Sequence, residues 1–502
     1  MVTLRFYDSQ TRQVRDFAPL REGEVGLYYC GATVQGEPHV GHMRSAIVFD
    51  QLTRWLQHKG FRVTVVRNVT DIDDKILAKS QASFDPDFDP GQSAGIRDEP
   101  WWALAYRYEK VFDEYYSLLG VQDPTYEPRA TGHIPEMHRL IQDLIDRGHA
   151  YPAEDGSGDV YFDVLSWGKY GSLTNQNVTE MQAATDADPR GKRDERDFAL
   201  WKGHKSEDPE SAAWDSPWGR GRPGWHLECS AMAAKYLGTA FDIHGGGLDL
   251  RFPHHENEMA QSQAAGQDFA NFWMHNGMVT YQGEKMSKSV GNVISPAEML
   301  AQASPRVVRY YLGQAHYRSV LDYNPESLAE AKAAVERIDG FLNRALKTVN
   351  EDDLAEYGMQ RTADGAGYAL APLSATPGEF AAAMDDDLNI PKALAVLHDQ
   401  VTRGNQALAD GNLSQAAQSA AAVHAMTHIL GLPPEHSGTS AAGNQSADAL
   451  DALVTAEIAR REEARQAKDW ATSDAIRESL SSLGIAIEDG KDGATWSFRA
   501  QQ

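Results

Sequence analysis

The sequence predicts an α/β fold built on a parallel sheet, and three consecutive segments near its start carry this prediction. Residues 25–30 form a short apolar run that is typical of a buried strand. Apolar residues then recur at helical spacing from Ala46 to Leu56, and Gly60 ends this pattern. Residues 62–69 form a second strand that is rich in β-branched side chains. A strand, a helix and a strand in this order favour a parallel sheet with a right-handed crossover.

The later segments extend this unit into a chain of several domains, since 502 residues exceed what one hydrophobic core usually holds. An insertion is predicted to interrupt the sheet, which resumes in strand candidates at 240–244 and 272–280. Helices are predicted to dominate residues 296–432, before a linker rich in Pro, Ser and Gly. The predicted fold is a Rossmann-type catalytic domain split by an insertion, then an α-helical domain and a small α+β C-terminal domain. The predicted boundaries are 1–119, 120–205 (the insertion), 206–284, 285–345, 346–432, 433–449 (the linker) and 450–502.

Composition and charge exclude several classes of protein. Hydrophobic residues make up 42% of the chain, as expected for a globular protein. The sequence has no run of about 18 apolar residues and no signal-peptide core, so we expect a cytoplasmic protein without a membrane partner. The net charge of −25 argues against general nucleic-acid binding through bulk attraction. Nine basic against six acidic residues in 285–350 leave room for a local basic surface.

Two histidines, His39 and His42, follow the first predicted strand and are separated by Val40 and Gly41. In the predicted fold they lie at the carboxyl edge of the sheet and at a helix N-terminus, where phosphate groups bind well. Gly41 would allow a nucleotide to approach the backbone closely. Two surface histidines at a turn are the alternative interpretation, because four residues alone are weak evidence.

A second motif, Lys285-Met-Ser-Lys-Ser289, follows a predicted strand and is flanked by Gly283 and Gly291. This placement suits a loop that closes over a triphosphate, and a solvated loop is the alternative. Lys288 would be the main charge on the α-phosphate and the leaving pyrophosphate, with Lys285 as a second candidate. Both motifs in this order indicate activation of a carboxylate by ATP, and Mg²⁺ is expected to accompany the nucleotide.

Four residues are candidates for a metal site: Cys30, Cys229, His254 and Glu258. His254 and Glu258 are four positions apart, so on a helix they would project from one face. Two cysteines, one histidine and one glutamate make a plausible Zn²⁺ shell, and two buried cysteines in apolar roles are the alternative. A metalloprotease is excluded, because the segment from His254 to Glu258 lacks the second histidine of a His-Glu-x-x-His helix.

The two motifs resemble those of the class I aminoacyl-tRNA synthetases, and other segments resemble the cysteinyl-tRNA synthetases in particular. These segments are Tyr29–Val34, Arg67–Lys75, Gly224–Ser230, Phe241–Gly247 and Phe252–Glu258. The similarity extends over residues 2–498. Val40 departs from the more usual isoleucine, and both are β-branched.

The resemblance implies an enzyme that activates L-cysteine with ATP to cysteinyl-adenylate and transfers it to the terminal ribose of tRNA(Cys). It implies one Zn²⁺ ion on the four candidate ligands, to which the substrate thiolate would add. Trp225 would wall the small side chain, while Thr70 and His244 would hold the polar groups of cysteine. The implied ATP-binding residues are His39, Gly41, His42, Gly245, Gly246, Gly247, Lys285, Ser287 and Lys288. A monomer is expected.

The C-terminal part carries a basic stretch and then three candidate contacts to the tRNA anticodon, Trp470, Asp474 and Asp489. A tryptophan can stack on an unpaired base, and carboxylates can accept from cytosine or guanine amino groups. An ordinary solvated helix face is the alternative. The insertion at 120–205 is expected to bind the acceptor end rather than to edit, because zinc–thiolate selection of cysteine makes editing unnecessary.

Two other functions compete with tRNA charging. The chain also resembles the cysteine ligase of mycothiol synthesis, which joins cysteine to an amino-sugar inositol. That family lacks the C-terminal anticodon region, which residues 433–502 supply here. An inactive synthetase-like RNA-binding protein is the second alternative, and the intact His39, His42, Lys285 and Lys288 argue against it.

Overall fold

The computed structural model describes residues 3–93, 95–176, 191–286, 292–324, 326–362, 368–370, 376–434, 454–462, 464–465, 469–482, 485–490 and 493–498. The chain divides into two compact units. The larger comprises Met1–Gly358 and Leu370–Pro433, and the smaller comprises Met359–Ala369 and Pro434–Gln502. Among the described helices, none combines the length and the apolar character that crossing a lipid bilayer requires.

The strands, in chain order, are β1 (Arg5–Asp8), β2 (Gln13–Asp16), β3 (Glu24–Tyr29), β4 (Arg62–Arg67), β5 (Ala150–Pro152), β6 (Val160–Phe162), β7 (Phe198–Gly203), β8 (Gly221–Pro223), β9 (Ala240–Gly247), β10 (Phe269–Asn276), β11 (Val279–Tyr281), β12 (Glu284–Lys285), β13 (Leu321–Tyr323), β14 (Met359–Arg361), β15 (Tyr368–Leu370), β16 (Ile485–Gly490) and β17 (Gly493–Phe498).

The helices are α1 (Val40–His58), α2 (Asp74–Ser83), α3 (Pro90–Ser93), α4 (Trp101–Leu118), α5 (Ile134–Asp146), α6 (Trp225–Leu237), α7 (Glu256–Ala264), α8 (Pro296–Leu300), α9 (Pro305–Gly313), α10 (Ser327–Thr348), α11 (Glu351–Glu356), α12 (Gly378–Asp385), α13 (Ile390–Ala409), α14 (Leu413–Ile429) and α15 (Trp470–Ser482). Residues 454–462 are also helical.

The central sheet of the larger unit has four parallel strands in the order β10–β9–β3–β4. It confirms the predicted α/β fold, in which β3, α1 and β4 form the first strand–helix–strand unit. Ile47, Leu52 and Trp55 of α1 are fully buried, so the apolar spacing seen in the sequence is the face that packs into the core. The predicted strand at 272–280 is two strands, β10 and β11, which belong to different sheets.

A second sheet, antiparallel and ordered β5–β6–β7–β8, lies between the halves of the parallel sheet in the chain. Its last strand, Gly221–Pro223, extends past residue 205, where the sequence placed the end of the insertion. Only one residue separates β8 from α6, so this sheet leads directly into the helix that carries Cys229.

The smaller unit contains α15 and the antiparallel hairpin of β16 and β17. Val454, Ile476, Leu480 and Ile485 form a small apolar core there. Of the predicted linker 433–449, only residues 433 and 434 are among the described residues.

Three arginines of the 285–350 segment are used inside the fold instead of forming the basic surface considered from the sequence. Arg306 and Arg309 are buried and pair with Asp339 and Asp50. Arg318 pairs with Asp387 at 2.5 Å. Two of these arginines therefore neutralise acids outside the segment, and Arg306 neutralises an acid within it.

Candidate functional site

A cavity of about 460 Å³ lies at the carboxyl edge of the parallel sheet. Tyr29, Gly247 and Asn276, the last residues of β3, β9 and β10, all line it. Open parallel sheets bind their ligands at this edge. The predicted site residues in the cavity wall are Cys30, His39, Gly41, His42, Trp225, Gly247 and Lys285. The fold therefore brings both sequence motifs and one candidate metal ligand to a single space.

His39 and His42 lie at the N-terminal end of α1. The backbone N of His39, the N-cap residue, donates to Nδ1 of His42 at 3.1 Å, and the two rings stack with centroids 3.7 Å apart. Because Nδ1 of His42 accepts this bond, the proton of its neutral ring lies on Nε2, which is therefore a donor. The N–H groups of the first helical turn add to a field that favours an anion here.

The three predicted glycines of β9 have different surroundings. A Cβ atom on Gly245 would clash with Phe49, and one on Gly246 would lie 2.9 Å from the His255 ring. Core packing alone therefore requires both residues to be glycine. Of the three, only Gly247 lines the cavity.

The four predicted metal ligands converge from separate elements. Cys30 follows β3, Cys229 lies on α6, His254 lies in the helical turn before α7, and Glu258 lies on α7. One ligand atom of each lies within 4.8 Å of the other three, and all four residues are buried. Cys30 Sγ is 3.9 Å from Cys229 Sγ and 3.5 Å from Glu258 Oε1. His254 Nε2 is 3.0 Å from the same carboxylate oxygen. Two sulfurs, one imidazole and one carboxylate are a donor set that fits Zn²⁺.

A second set of four ligand atoms shares Cys30 and Glu258 and replaces the other two ligands by His244 and His255. These atoms also lie within 4.8 Å of one another. The set offers one sulfur rather than two, and thiolates are the ligands that favour zinc among divalent metals. The donor chemistry therefore favours the set that contains Cys229.

Further histidines hold the candidate ligands in place, and sequence reasoning missed their role. His226 Nδ1 lies 2.9 Å from His254 Nδ1, which leaves Nε2 of His254 on the side of Glu258. His255 Nε2 lies 3.3 Å from Cys30 Sγ, and its Nδ1 lies 2.9 Å from His275 Nε2. The first contact fixes the ring orientation and the tautomer of His254, and the other two hold a histidine against the Cys30 sulfur.

One of these histidines could have been found from the sequence. His226 is three residues before Cys229, so on a helix the two side chains share a face. His275 offered no comparable signal, because it reaches the cluster only through the pairing of β10 with β9.

The charges of the cluster depend on burial and on the neighbouring ligands. Burial raises the pKa of the Cys30 thiol well above its ordinary value, and Cys229 raises it further. Burial acts in the same direction on Cys229, but the hydrogen bond with Cys30 and the nearby His254 lower its pKa to about 6. Burial lowers the pKa of His254, yet Glu258 and Cys229 raise it to about 10. The pKa of Cys229 is therefore shifted toward the thiolate form that binds a metal, whereas the pKa values of Cys30 and His254 are raised, so a metal would have to displace their protons.

Of the residues predicted to hold the substrate cysteine, Trp225 and His244 contact the cluster, whereas Thr70 contacts Glu228, the neighbour of Cys229 in the chain. Trp225 lines the cavity and stacks on His254, with ring centroids 4.1 Å apart. The Thr70 hydroxyl is buried and donates to Glu228 Oε2 at 2.9 Å. His244 Nε2 lies 2.7 Å from Glu258 Oε2, so in this structure it contacts a candidate metal ligand.

The acidic cluster after Thr70 serves the fold. Asp71 accepts hydrogen bonds from the backbone N and the hydroxyl of Thr131, and Asp73 caps the N-terminus of α2. Asp74 pairs with Lys202 and Arg222, which lie on β7 and β8. Each of these three carboxylates therefore has a structural contact within the larger unit.

The remaining predicted residues are only partly covered by the structure. Lys285 is exposed on β12, whereas Ser287 and Lys288 lie outside the described residues. Trp470 is 59% exposed, and Asp474, one helical turn later on α15, is exposed as well. Asp489 lies on β16, and its side chain is outside the described part.

Comparison with protein families gives three matches along the chain. Residues 16–333 match the model described as "tRNA synthetases class I (C) catalytic domain". Residues 379–433 match the DALR domain, and residues 447–496 match the "Cysteinyl-tRNA ligase anticodon binding domain".

Similar proteins span the full length of the chain. The cysteine–tRNA ligase of Arthrobacter sp. (strain FB24) is 66% identical over 497 residues, which cover 99% of this chain and all of that protein. The cysteine–tRNA ligase of Micrococcus luteus is 62% identical and covers 98% of this chain and 99% of its own length. Among solved structures, Mycobacterium tuberculosis methionyl-tRNA synthetase with methionyl-adenylate superposes with a TM-score of 0.54. At 15% identity, covering 81% of this chain and 89% of that chain, this last similarity concerns the fold alone.

Proposed function

This chain belongs to the cysteine–tRNA ligase family of class I tRNA synthetases, and from that premise we propose which of its residues carry the reaction. The enzyme is a cysteine–tRNA ligase whose substrates are cysteine, ATP and tRNA. The two competing functions, the amino-sugar ligase and the inactive RNA-binding protein, are not favoured, because full-length relatives and the matched anticodon-binding domain point to tRNA charging.

We propose that His39, His42 and the first turn of α1 hold the phosphates of ATP. The Nε2 donor of His42 and the helix N-terminus supply fixed positive potential where charge builds up at the α-phosphate. Gly41 and Gly247 line the cavity, so the nucleotide can approach their backbone closely. Lys285, Ser287 and Lys288 would contact the triphosphate from the other side, and Mg²⁺ would accompany it. Catalysis then rests on positioning and electrostatics, without a protein nucleophile.

Cys30, Cys229, His254 and Glu258 are proposed to hold a Zn²⁺ ion, on the strength of their mutual distances and donor types. When bound, zinc would supply a coordination position that favours the substrate thiolate over a serine hydroxyl. The protein keeps the ligands in place: His226 orients His254, and His244 orients Glu258. Trp225 would close the pocket around the short side chain, while Thr70 and His244 would meet the polar groups of cysteine.

The tRNA is proposed to contact both ends of the chain. The inserted sheet would meet the acceptor end, and the C-terminal domain would read the anticodon through Trp470, Asp474 and Asp489. The first two residues are exposed one turn apart on α15, as an aromatic stack with an adjacent acceptor requires. We further propose the domain boundaries given from the sequence, with the insertion extended to Pro223, and a monomer in the cytoplasm.

The observation that carries the proposal is the approach of four ligand atoms to within 4.8 Å of one another. The test compares zinc content and cysteine-dependent ATP–pyrophosphate exchange in His254→Ala and His255→Ala. We expect His254→Ala to lose both the metal and the exchange, whereas His255→Ala, which loses a contact to Cys30, still binds the metal with an affinity reduced by about 10–100-fold. The reverse result would assign the metal to the second set, and full exchange by metal-free protein would refute a role for zinc.

A further inference from the structure

Arg44 lies on α1, two residues after His42, and its side chain is completely buried. Its guanidinium group donates to four backbone carbonyl oxygens. Nη1 donates to Gly277 O at 3.0 Å and to Met278 O at 2.7 Å. Nη2 donates to His316 O at 3.3 Å and to Ser319 O at 2.6 Å.

The four acceptors lie at the base of the hairpin that carries Lys285. Gly277 and Met278 connect β10 to β11, and β11 pairs with β12, on which Lys285 lies. Gly277 and Met278 also line the cavity, whereas Arg44 itself does not. His316 and Ser319 precede β13, which pairs in parallel with β11.

Gly277 packs closely against the residues that precede β13. A Cβ atom on Gly277 would clash with the carbonyl of Ser319, and the backbone N of Gly277 donates to Tyr317 O at 2.7 Å. Leu321 N donates to Met278 O at 3.0 Å. Arg44 therefore donates to two segments, residues 277–278 and 316–319, that are already hydrogen-bonded to each other.

The far end of the same stretch of chain is also tied to α1. The backbone N of Val40 donates to Ile294 O at 3.1 Å. The chain is thus tied to α1 on both sides of the Lys285 motif, at Gly277 and Met278 through Arg44 and at Ile294 through Val40. Helix α1, which begins at His39 and His42, is therefore bonded to the chain both before and after the motif that begins at Lys285.

A cation buried in this way is costly unless its donors are satisfied. Within the described part of the chain, no carboxylate pairs with Arg44, so its charge is stabilised by backbone carbonyls. The four contacts come from one planar group with a fixed spread of donors, which lysine cannot reproduce.

We propose that Arg44 is a positioning residue for the ATP-dependent step: it sets the distance between His39 and His42 on α1 and the hairpin that carries Lys285. The inference rests on the proposed role of Lys285 in ATP binding. Arg44, two residues after His42, would thus contact neither ATP nor cysteine and would act through Gly277 and Met278 in the cavity wall.

The experiment measures cysteine-dependent ATP–pyrophosphate exchange in the full-length enzyme with Arg44→Met, varying ATP and cysteine separately. Misplacement by about 1 Å can reduce a rate about 100-fold, so we expect a fall of that order in kcat/KM for ATP. The KM for cysteine stays unchanged, because the metal-ligand cluster does not contact Arg44. Arg306→Met is the matched control, since Arg306 is also buried but lies on α9 outside the cavity wall.

An equal rise in the KM for ATP and in the KM for cysteine, or a loss in Arg306→Met as large as in Arg44→Met, would overturn the inference. If Arg44→Met does not fold, Arg44→Lys retains the charge, and a selective rise in the KM for ATP supports the proposal. Lys285→Ala separates this inference from the proposed function. Loss of exchange in Lys285→Ala with normal ATP kinetics in Arg44→Met refutes only the role of Arg44. Normal exchange in Lys285→Ala refutes the role of Lys285, and the inference with it.

Discussion

The candidate metal site and the candidate nucleotide site meet at Cys30, which lines the cavity, but they are built in opposite ways. Each of the four metal-ligand candidates is buried, and neighbouring side chains such as His226 and His244 fix their orientation. The nucleotide residues lie at a helix end and on an exposed hairpin, with Lys285 open to solvent. A site that distinguishes a thiol from a hydroxyl gains from rigid ligands, whereas a site that admits ATP and releases pyrophosphate needs access.

The largest expected effect comes from removing a ligand of the buried metal site. In Cys229→Ser, one of the two sulfur ligands is lost, and we expect the zinc content and the cysteine-dependent exchange to collapse. Shape alone separates similar side chains by about 10–200-fold, so the preference for cysteine over serine falls to that range. Pyrophosphate exchange with each amino acid measures this preference. A variant that still rejects serine as strongly as the unmodified enzyme would contradict zinc-based selection.

A smaller effect is expected when an orienting residue is removed and the ligands remain. His226→Ala leaves all four ligand candidates but frees the His254 ring, and such changes reduce metal affinity by about 10–100-fold. Competition with a chelator measures the affinity. His138→Ala is the control, because His138 packs against Trp201 rather than against the cluster. Equal metal affinities in the two variants would show that the contact with His226 is not needed to orient His254.

A third prediction leaves both sites intact. Trp470→Ala removes an exposed aromatic ring, and loss of one stacked base weakens binding by about 1–3 kcal/mol. We expect the KM for tRNA to rise in aminoacylation, whereas ATP–pyrophosphate exchange without tRNA is unchanged. An unaltered KM for tRNA would favour the interpretation of α15 as an ordinary solvated helix face.

The smallest expected effect comes from Gly41→Ala, which favours the helical conformation of α1 but weakens ATP binding. Gly41→Ala places a better helix former in the first turn of α1, which favours a helix by about 0.5–1 kcal/mol, although the His39 ring must shift to make room for the new Cβ. The added Cβ would lie 2.9 Å from Nδ1 of His39 at the cavity wall, so ATP binding weakens. Denaturant unfolding and the KM for ATP measure the two effects. A normal KM for ATP would show that close backbone approach at Gly41 is not needed.

The sequence was sufficient for the fold and the family because both depend on local patterns. The first strand–helix–strand unit follows from periodicity, and its confirmation places His39 and His42 at the sheet edge. The candidate ligands could be named because cysteine is rare in this chain and histidine and glutamate share a helical spacing.

The supporting contacts could not be predicted, because they join residues far apart in the chain. His275 reaches the cluster only once β10 pairs with β9. In the same way, Arg309 looks like surface charge in the sequence, but in the fold it is buried against Asp50 of α1. Where a side chain goes depends on tertiary packing, and no local pattern encodes that.

The tie between Val40 and Ile294 is made by two backbone atoms, so side-chain substitution leaves its donor and acceptor in place. Together with the carbonyls held by Arg44, it fixes two points of the chain and leaves a set number of residues between them. A substitution in residues 279–293 keeps that number, whereas an insertion or a deletion changes it. Apart from Lys285, Ser287 and Lys288, whose side chains are proposed to contact ATP, we therefore expect this stretch to tolerate changes of residue type far better than changes of length.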